Sequence, residues 1–360
     1  MELLSNILNG NGLQNETGMA YGEVCSDPTA ARALFAKCPI AAVSPLVDAK
    51  DLAKHMGVAE IHVKDERVRL GLGSFKALGA AFAIAKAADK LIAKNSQLDP
   101  SAALSGQVYV CASAGNHGLS MAAGARIFGA DAVVYLSKTV PEEFAERLTA
   151  KGATVIRAGE NYEASMEAAI KAADQNGWTL LSDSSWEGYA ELPRDVMEGY
   201  LIMGAEVADQ LSQPPTHIFL QAGVGGLAAA CTAAARYYWG DGPKVFVVEP
   251  EYAPALFDSI EASKAVTTKG PVSNMGRLDC KEPSHLALKY LAKEADGFIT
   301  VRETEAIAAM EDLKTHGLAA SPSAAAGYAG LCCAGGKSQE MGLTADSRIL
   351  IYLSEGPVDE

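Results

Sequence analysis

The sequence predicts an α/β protein built on mostly parallel sheets with helices on their faces. Between residues 107 and 181, short apolar runs alternate with helical patterns across brief glycine-containing connections. A second alternation of the same kind runs from residue 199 to residue 249. No repeat or low-complexity linker separates the two series, so the halves are expected to pack closely around a cleft.

In chain order, residues 1–45 read as irregular, with Asn-Gly and Gly-Asn steps at Asn9 to Gly12 marking turns. A helix over 49–56 and a strand over 60–64 follow, then a loop over 66–73 holding Arg67 and Arg69. Residues 77–94 are alanine-rich and read as a long helix. The first alternation comprises strands at 107–112, 132–136, 154–156 and 178–181, with helices at 119–128, 142–151 and 161–176 between them. The second comprises a helix from Gly199 to about Leu211, a strand at 216–221, a glycine turn and helix at 223–238, and a strand at 244–249. Residues 257–290 read as irregular. A helix at 303–316, a small-residue stretch at 321–335 and a last strand at 348–353 complete the chain.

A chain of 360 residues has room for two domains, and 49% hydrophobic with 21% charged residues describes an ordinary globular protein. The net charge of −14 argues against nucleic acid or an anionic membrane as partner. An anionic ligand would need a local site of backbone amides. The seven cysteines are odd in number and form no CxxC pair, so they read as reduced thiols of a cytoplasmic protein. No basic segment followed by an apolar run opens the chain, so no signal peptide is expected. The most apolar C-terminal stretch, residues 324–336, is too short to span a bilayer, and no metal-ligand set is assigned.

Chemistry gathers first at Gly73-Ser74-Phe75-Lys76-Ala77-Leu78-Gly79. A lysine entering a helix sits beside backbone N–H groups and the positive end of the macrodipole, which disfavours its ammonium. A lysine with a lowered pKa is a usable nucleophile towards carbonyls, although a lone lysine is more often a solvated surface residue. The turn Ala222-Gly223-Val224-Gly225-Gly226-Leu227 joins a strand to a helix, where backbone N–H groups converge on a phosphate. A nicotinamide cofactor competes for the same turn: Gly223-x-Gly225-x-x-Ala228 with Glu249 ending the next strand fits the dinucleotide fingerprint. Ser113-Ala114-Gly115-Asn116-His117-Gly118 is a second polar turn at a strand end, with Asn116 able to bind a ring hydroxyl or a carboxylate. His117 by itself reads as a packed histidine. Ser354 ends the last strand, where a hydroxyl can meet a pyridine nitrogen without forcing its protonation. A phosphorylated aldehyde uses all of these parts, whereas hydride transfer leaves Lys76 without a role.

The order and spacing of Ser74-Phe75-Lys76, the 113–118 turn, Gly223-Val224-Gly225-Gly226 and Ser354 resemble the fold type II (tryptophan-synthase-β-like) pyridoxal phosphate enzymes, over roughly residues 40–356. Within that group the chain looks most like diaminopropionate ammonia-lyase. The resembling stretches are Val63-Lys64-Asp65-Glu66-Arg67, Asp183-Ser184-Ser185-Trp186-Glu187-Gly188-Tyr189, Gln221 to Gly225, and Cys280-Lys281-Glu282-Pro283-Ser284. The resemblance implies pyridoxal 5'-phosphate as cofactor and a homodimer. It implies a large domain from residues 1–98 and 188–360, with residues 99–187 as a smaller inserted domain closing over the substrate. It implies β-elimination from a small β-substituted amino acid, giving a 2-oxo acid and ammonia.

Lys76 and Asp183 are then the catalytic candidates, with Asp183 facing a polar or cationic β-group. Cofactor contacts fall to Lys76, Phe75, Asn116, Gly223, Val224, Gly225, Gly226, Leu227 and Ser354. Substrate contacts fall to Ser113, Ala114, Gly115, Asn116 and His117. The chain departs from the lyase at Ala114, where that family carries an aspartate thought to act as a base on one enantiomer. It departs again at Lys281 of Lys281-Glu282-Pro283-Ser284 and at Ala320-Ser321-Pro322-Ser323. A serine/threonine/hydroxyaspartate-type dehydratase and a β-replacement synthase share the implied fold. An NAD-dependent oxidoreductase or a non-catalytic cofactor-binding protein is the reading from outside that class.

Overall fold

A computed structural model describes residues 1–357. Its strands are β1 (Glu2–Ser5), β2 (Leu46–Asp48), β3 (Glu60–Asp65), β4 (Val108–Ala112), β5 (Asp131–Leu136), β6 (Ala153–Arg157), β7 (Thr179–Leu180), β8 (His217–Gln221), β9 (Lys244–Pro250), β10 (Gly297–Val301) and β11 (Arg348–Leu353). They form a seven-stranded sheet in the order β1-β10-β9-β8-β11-β3-β2 and a four-stranded sheet in the order β6-β5-β4-β7. The smaller sheet is wholly parallel, and the larger is parallel except where β1 and β2 pair at its two edges. Helices cover the faces, which is why β8 and β10 are buried at every position.

Register places the site. β11 pairs with β3 through Leu353↔Asp65 and with β8 through Ile351↔Phe219, so all three strands end at the same edge. From that edge leave the loop to Lys76, the segment beginning at Ser354, and the glycine turn after Gln221. In the smaller sheet the end of β4 feeds the 113–118 turn, and the end of β7 leads to Asp183. Ligands of open parallel sheets bind outside these carboxyl ends.

Several elements differ from expectation. The helix assigned to 77–94 is two elements, a 3₁₀ turn at Phe75–Leu78 and an α-helix at Ala80–Lys94. The helix expected from Gly199 begins at Glu191, with Pro193 in its first turn, where a missing N–H costs nothing. A β-carbon on Gly199 would lie 1.9 Å from the Leu78 carbonyl oxygen, so this helix packs directly on the Lys76 turn. Residues 1–45 are not wholly irregular: β1 adds to β10, and Thr29–Phe35 is helical. Asn6 fixes that edge by donating to the carbonyls of Ala292 at 2.9 Å and Ala295 at 2.7 Å. The stretch 257–290 overlaps helices at Ala255–Glu261 and His285–Glu294, and β10 was unforeseen. The 321–335 stretch contains the helix Pro322–Cys332, capped by Ser321.

Candidate active site

Lys76 lies on the Phe75–Leu78 turn, whose Ser74 hydroxyl accepts from the Lys76 N–H at 3.3 Å. Its ammonium donates to Asp183 in an ion pair whose side chains are 24% and 21% exposed. The Phe75 ring lies 5.4 Å from Nζ and packs on Tyr200 at 4.8 Å between centroids. The Tyr200 hydroxyl is buried and finds no hydrogen-bond partner among the described residues.

The expected lowering of the Lys76 pKa is overturned. Burial pushes it down most, but the charge and hydrogen bond of Asp183, together with Tyr200 and Cys280, outweigh burial and hold the lysine above its ordinary value. Asp183 is correspondingly held well below the usual carboxylate range, burial opposing and the Lys76 ammonium prevailing. The α-helix begins only at Ala80, so its dipole does not act on Lys76 as the sequence implied.

The second part is the turn after β8. Gly225 sits at φ +98°, a left-handed conformation that favours glycine, and precedes the helix Gly226–Trp239. No side chain caps that helix, which leaves its first N–H groups for a ligand. The Val224 carbonyl accepts from Ser284 at 2.9 Å, and Leu227 is buried in the core, so Leu227 offers the site only its backbone. Cys280 lies over Gly223, where a β-carbon would be 3.0 Å from Sγ. Burial pushes the Cys280 thiol up to about 12.

Glu249 settles the nicotinamide question. It is fully buried, and its two oxygens accept from the Leu256 and Phe257 N–H groups at 2.8 Å each. Burial raises it to about 8. A carboxylate committed to the start of the helix Ala255–Glu261 cannot bind a ribose, so the fingerprint is met in sequence and not in space.

The third part is the 113–118 turn. The Ser113 hydroxyl accepts from Gly115 N–H at 3.3 Å, and the helix Asn116–Ile127 starts three residues before its expected position. Asn116 donates to Glu355 Oε2 at 2.6 Å, and Ser321 donates to Glu355 Oε1 at 2.6 Å. His117 is buried; its Nε2 donates to the Leu181 carbonyl at 2.8 Å, and burial lowers its pKa. Ala114 packs partly buried against the core. Ser354 is buried beside this group, its carbonyl accepting from Phe75 N–H at 3.0 Å and tying β11 to the Lys76 turn.

The three parts meet. A β-carbon on Gly226 would lie 3.8 Å from the Tyr200 ring and 3.9 Å from the Asp183 carbonyl oxygen, which joins the glycine turn to the Lys76 pair. Sequence reasoning missed Tyr200, Glu355 and Arg277. Glu355 carried a faint signal as the neighbour of Ser354; Tyr200 carried none, because only helix packing brings it to Phe75.

The family model of pyridoxal-phosphate dependent enzymes matches residues 39–355. The chain belongs to this family. Diaminopropionate ammonia-lyase of Salmonella typhimurium is 33% identical over 74% of this chain and 70% of its own length. The crystal structure of diaminopropionate ammonia-lyase from Escherichia coli in complex with D-serine matches at a TM-score of 0.86 and 27% identity, covering 99% of this chain and 93% of that one. A second crystal structure of the Escherichia coli enzyme, with an aminoacrylate-PLP azomethine reaction intermediate, matches at 0.83 and 28% over the same shares. The fold is therefore fold type II and the cofactor is pyridoxal phosphate. The residues present fit that group: a partly buried amine, an uncapped helix start behind a glycine turn, and a buried Tyr200 hydroxyl without a partner among the described residues.

Proposed function

We propose that this family member is an ammonia-lyase that performs β-elimination on a small β-substituted amino acid such as 2,3-diaminopropionate, releasing a 2-oxo acid and ammonia. The observation that carries the reading is the Lys76–Asp183 pair held at the junction of the two ligand-binding turns. Lys76 would hold the cofactor's aldehyde carbon, with Phe75 beside it. Backbone amides of Gly223, Val224, Gly225, Gly226 and Leu227 would hold the phosphate, and Ser354 would serve the pyridine nitrogen. Bound pyridoxal phosphate supplies an electron sink for the charge that develops at the substrate Cα.

Ser113, Ala114, Gly115, Asn116 and His117 form the turn that takes the substrate carboxylate, at the start of the twelve-residue helix Asn116–Ile127. Lys76 Nζ takes the Cα proton, and Asp183 stabilises the ammonium so formed. That ammonium is the acid at hand to protonate the departing β-group. Residues 1–98 with 188–360, and 99–187, are proposed as the large and the inserted domain. A homodimer and a cytoplasmic location belong to the same reading, and no helix among the described residues is long and apolar enough to cross a membrane.

The test is to reduce the holoprotein with borohydride, map the pyridoxyl-labelled peptide, and assay 2-oxo acid release from 2,3-diaminopropionate and L-serine. Label on Lys76 with release of pyruvate is the expected result. Label on Lys64 or Lys94 refutes the proposal, and so does the absence of oxo acid from both of these substrates and from 3-hydroxyaspartate.

A further inference from the structure

Arg277 is not used by the scheme above. Its backbone lies along the glycine turn, since a β-carbon on Gly223 would be 3.2 Å from the Arg277 carbonyl oxygen. Its side chain reaches the other turn: a β-carbon on Gly115 would be 2.9 Å from Nη1. The guanidinium therefore spans from the phosphate-binding turn to the substrate-carboxylate turn. Its Cζ lies 6.0 Å from the Phe144 ring centroid, on a helix that packs against the smaller sheet.

The guanidinium has an ion-pair partner but no hydrogen-bond acceptor among the described residues. Among the described residues its one acidic partner is Glu355, and that separation, 3.7 Å from Nε to Oε2, is an ion pair without a hydrogen bond. Both Glu355 oxygens are already taken, by Asn116 and by Ser321, at 2.6 Å each. Arg277 donates through its backbone N–H to Ser323 at 3.1 Å, and its guanidinium donates to no described residue. Asp279, two residues on, is engaged by Lys281 at 2.6 Å. A partly exposed planar fork, 34% exposed, thus lies beside the 113–118 turn with no hydrogen bond to a described residue. Such a group recognises an oxyanion bidentately.

We propose that Arg277 receives a second carboxylate of the substrate, so that the preferred substrates are β-substituted amino acids whose β-carbon also bears a carboxylate. This rests on the β-elimination reading and narrows its substrate class. For 3-hydroxyaspartate the Cα–H and Cβ–O bonds break, one water leaves, one water re-enters at the C–N carbon, and ammonia departs. The product is 2-oxosuccinate. The sum is one substrate to one oxo acid and one ammonia, with no oxidant.

The experiment uses the holoenzyme and two amino acids that lack a leaving group, L-aspartate and L-alanine, with binding read by calorimetry. Wild type should bind L-aspartate about tenfold or more tightly than L-alanine, the size of a charge-assisted pair of hydrogen bonds. Arg277→Gln should bring the two to near parity without altering cofactor content, and Arg277→Lys should restore part of the preference. Equal binding by wild type, or a preference that survives in Arg277→Gln, overturns the inference. Loss of cofactor in Arg277→Gln with the aspartate preference intact in the reloaded protein also overturns it, assigning the guanidinium to the phosphate. Turnover of L-serine, 2,3-diaminopropionate and 3-hydroxyaspartate separates the two layers. Oxo acid from the first two but none from the third overturns this inference alone, and none from any of them overturns the β-elimination reading beneath it.

Discussion

Replacing Asp183 by asparagine tests the central pair through stability as well as through activity. The substitution keeps the shape and one acceptor but leaves the Lys76 ammonium without its counter-charge. Removing one partner of a buried ion pair typically costs about 3–5 kcal/mol. The side chains keep 24% and 21% exposure, so solvent screens part of the loss. About 2–3 kcal/mol is expected at pH 7 in the cofactor-free protein, the low end of that range after screening.

The pH dependence fixes the cause. Asp183 is depressed in the folded state, so its contribution is present above the ordinary carboxylate value of 3.8 and is lost as pH falls below it. While the folded carboxylate stays ionised, the wild-type advantage shrinks by up to ~1.4 kcal/mol per pH unit below that value. Lys76 is raised, so its contribution is present below 10.5 and is lost as pH rises through the folded value. The difference between wild type and Asp183→Asn should therefore be flat from about pH 5 to pH 9 and narrow on either side. Urea unfolding at a series of pH values measures it. A difference below ~0.5 kcal/mol at pH 7, or one that does not narrow on acidification, refutes the pair as the dominant interaction.

Gly226→Ala should leave folding stability within ~0.5 kcal/mol, because its β-carbon meets Met197 no closer than 3.5 Å. The methyl should nonetheless weaken pyridoxal phosphate binding about tenfold by crowding the helix start, the worth of one hydrogen bond to a charged group, and unchanged affinity by equilibrium dialysis would place the phosphate elsewhere. With alanine at position 114 and Asp183 already lying against Lys76, a base is available to one face of the substrate. Activity should favour one enantiomer, expected to be L, by at least ~100-fold in kcat/KM, and Ala114→Asp should raise the D rate; near-equal values in wild type would reveal a second base.

The sequence by itself determined the class of the protein. Period-two and period-3.6 patterns survive any tertiary arrangement, so β3, β4, β5, β8, β9 and β11 lie within a residue or two of where the pattern put them. Lys76 and the 113–118 turn were legible because glycines stand beside a reactive or polar side chain, and the 223–227 turn because its glycines lie between a strand and a helix. Interactions distant in the chain were not legible. β10 follows a helix hidden in a stretch of turn residues, and β1 is a strand because β10 offers it an edge. The fingerprint acid Glu249 looked free until the helix Ala255–Glu261 folded onto it.

The charge state of Lys76 is the sharpest case. Locally the sequence implied a lowered pKa from a helix start and its backbone N–H groups. Asp183, 107 residues away, is the largest of the groups that reverse that sign against burial, with Tyr200 and Cys280 adding to it. Likewise Arg277 reads as one more basic residue in an irregular loop. Only the tertiary fold brings its backbone to the glycine turn of the larger sheet and its guanidinium to the 113–118 turn of the smaller one.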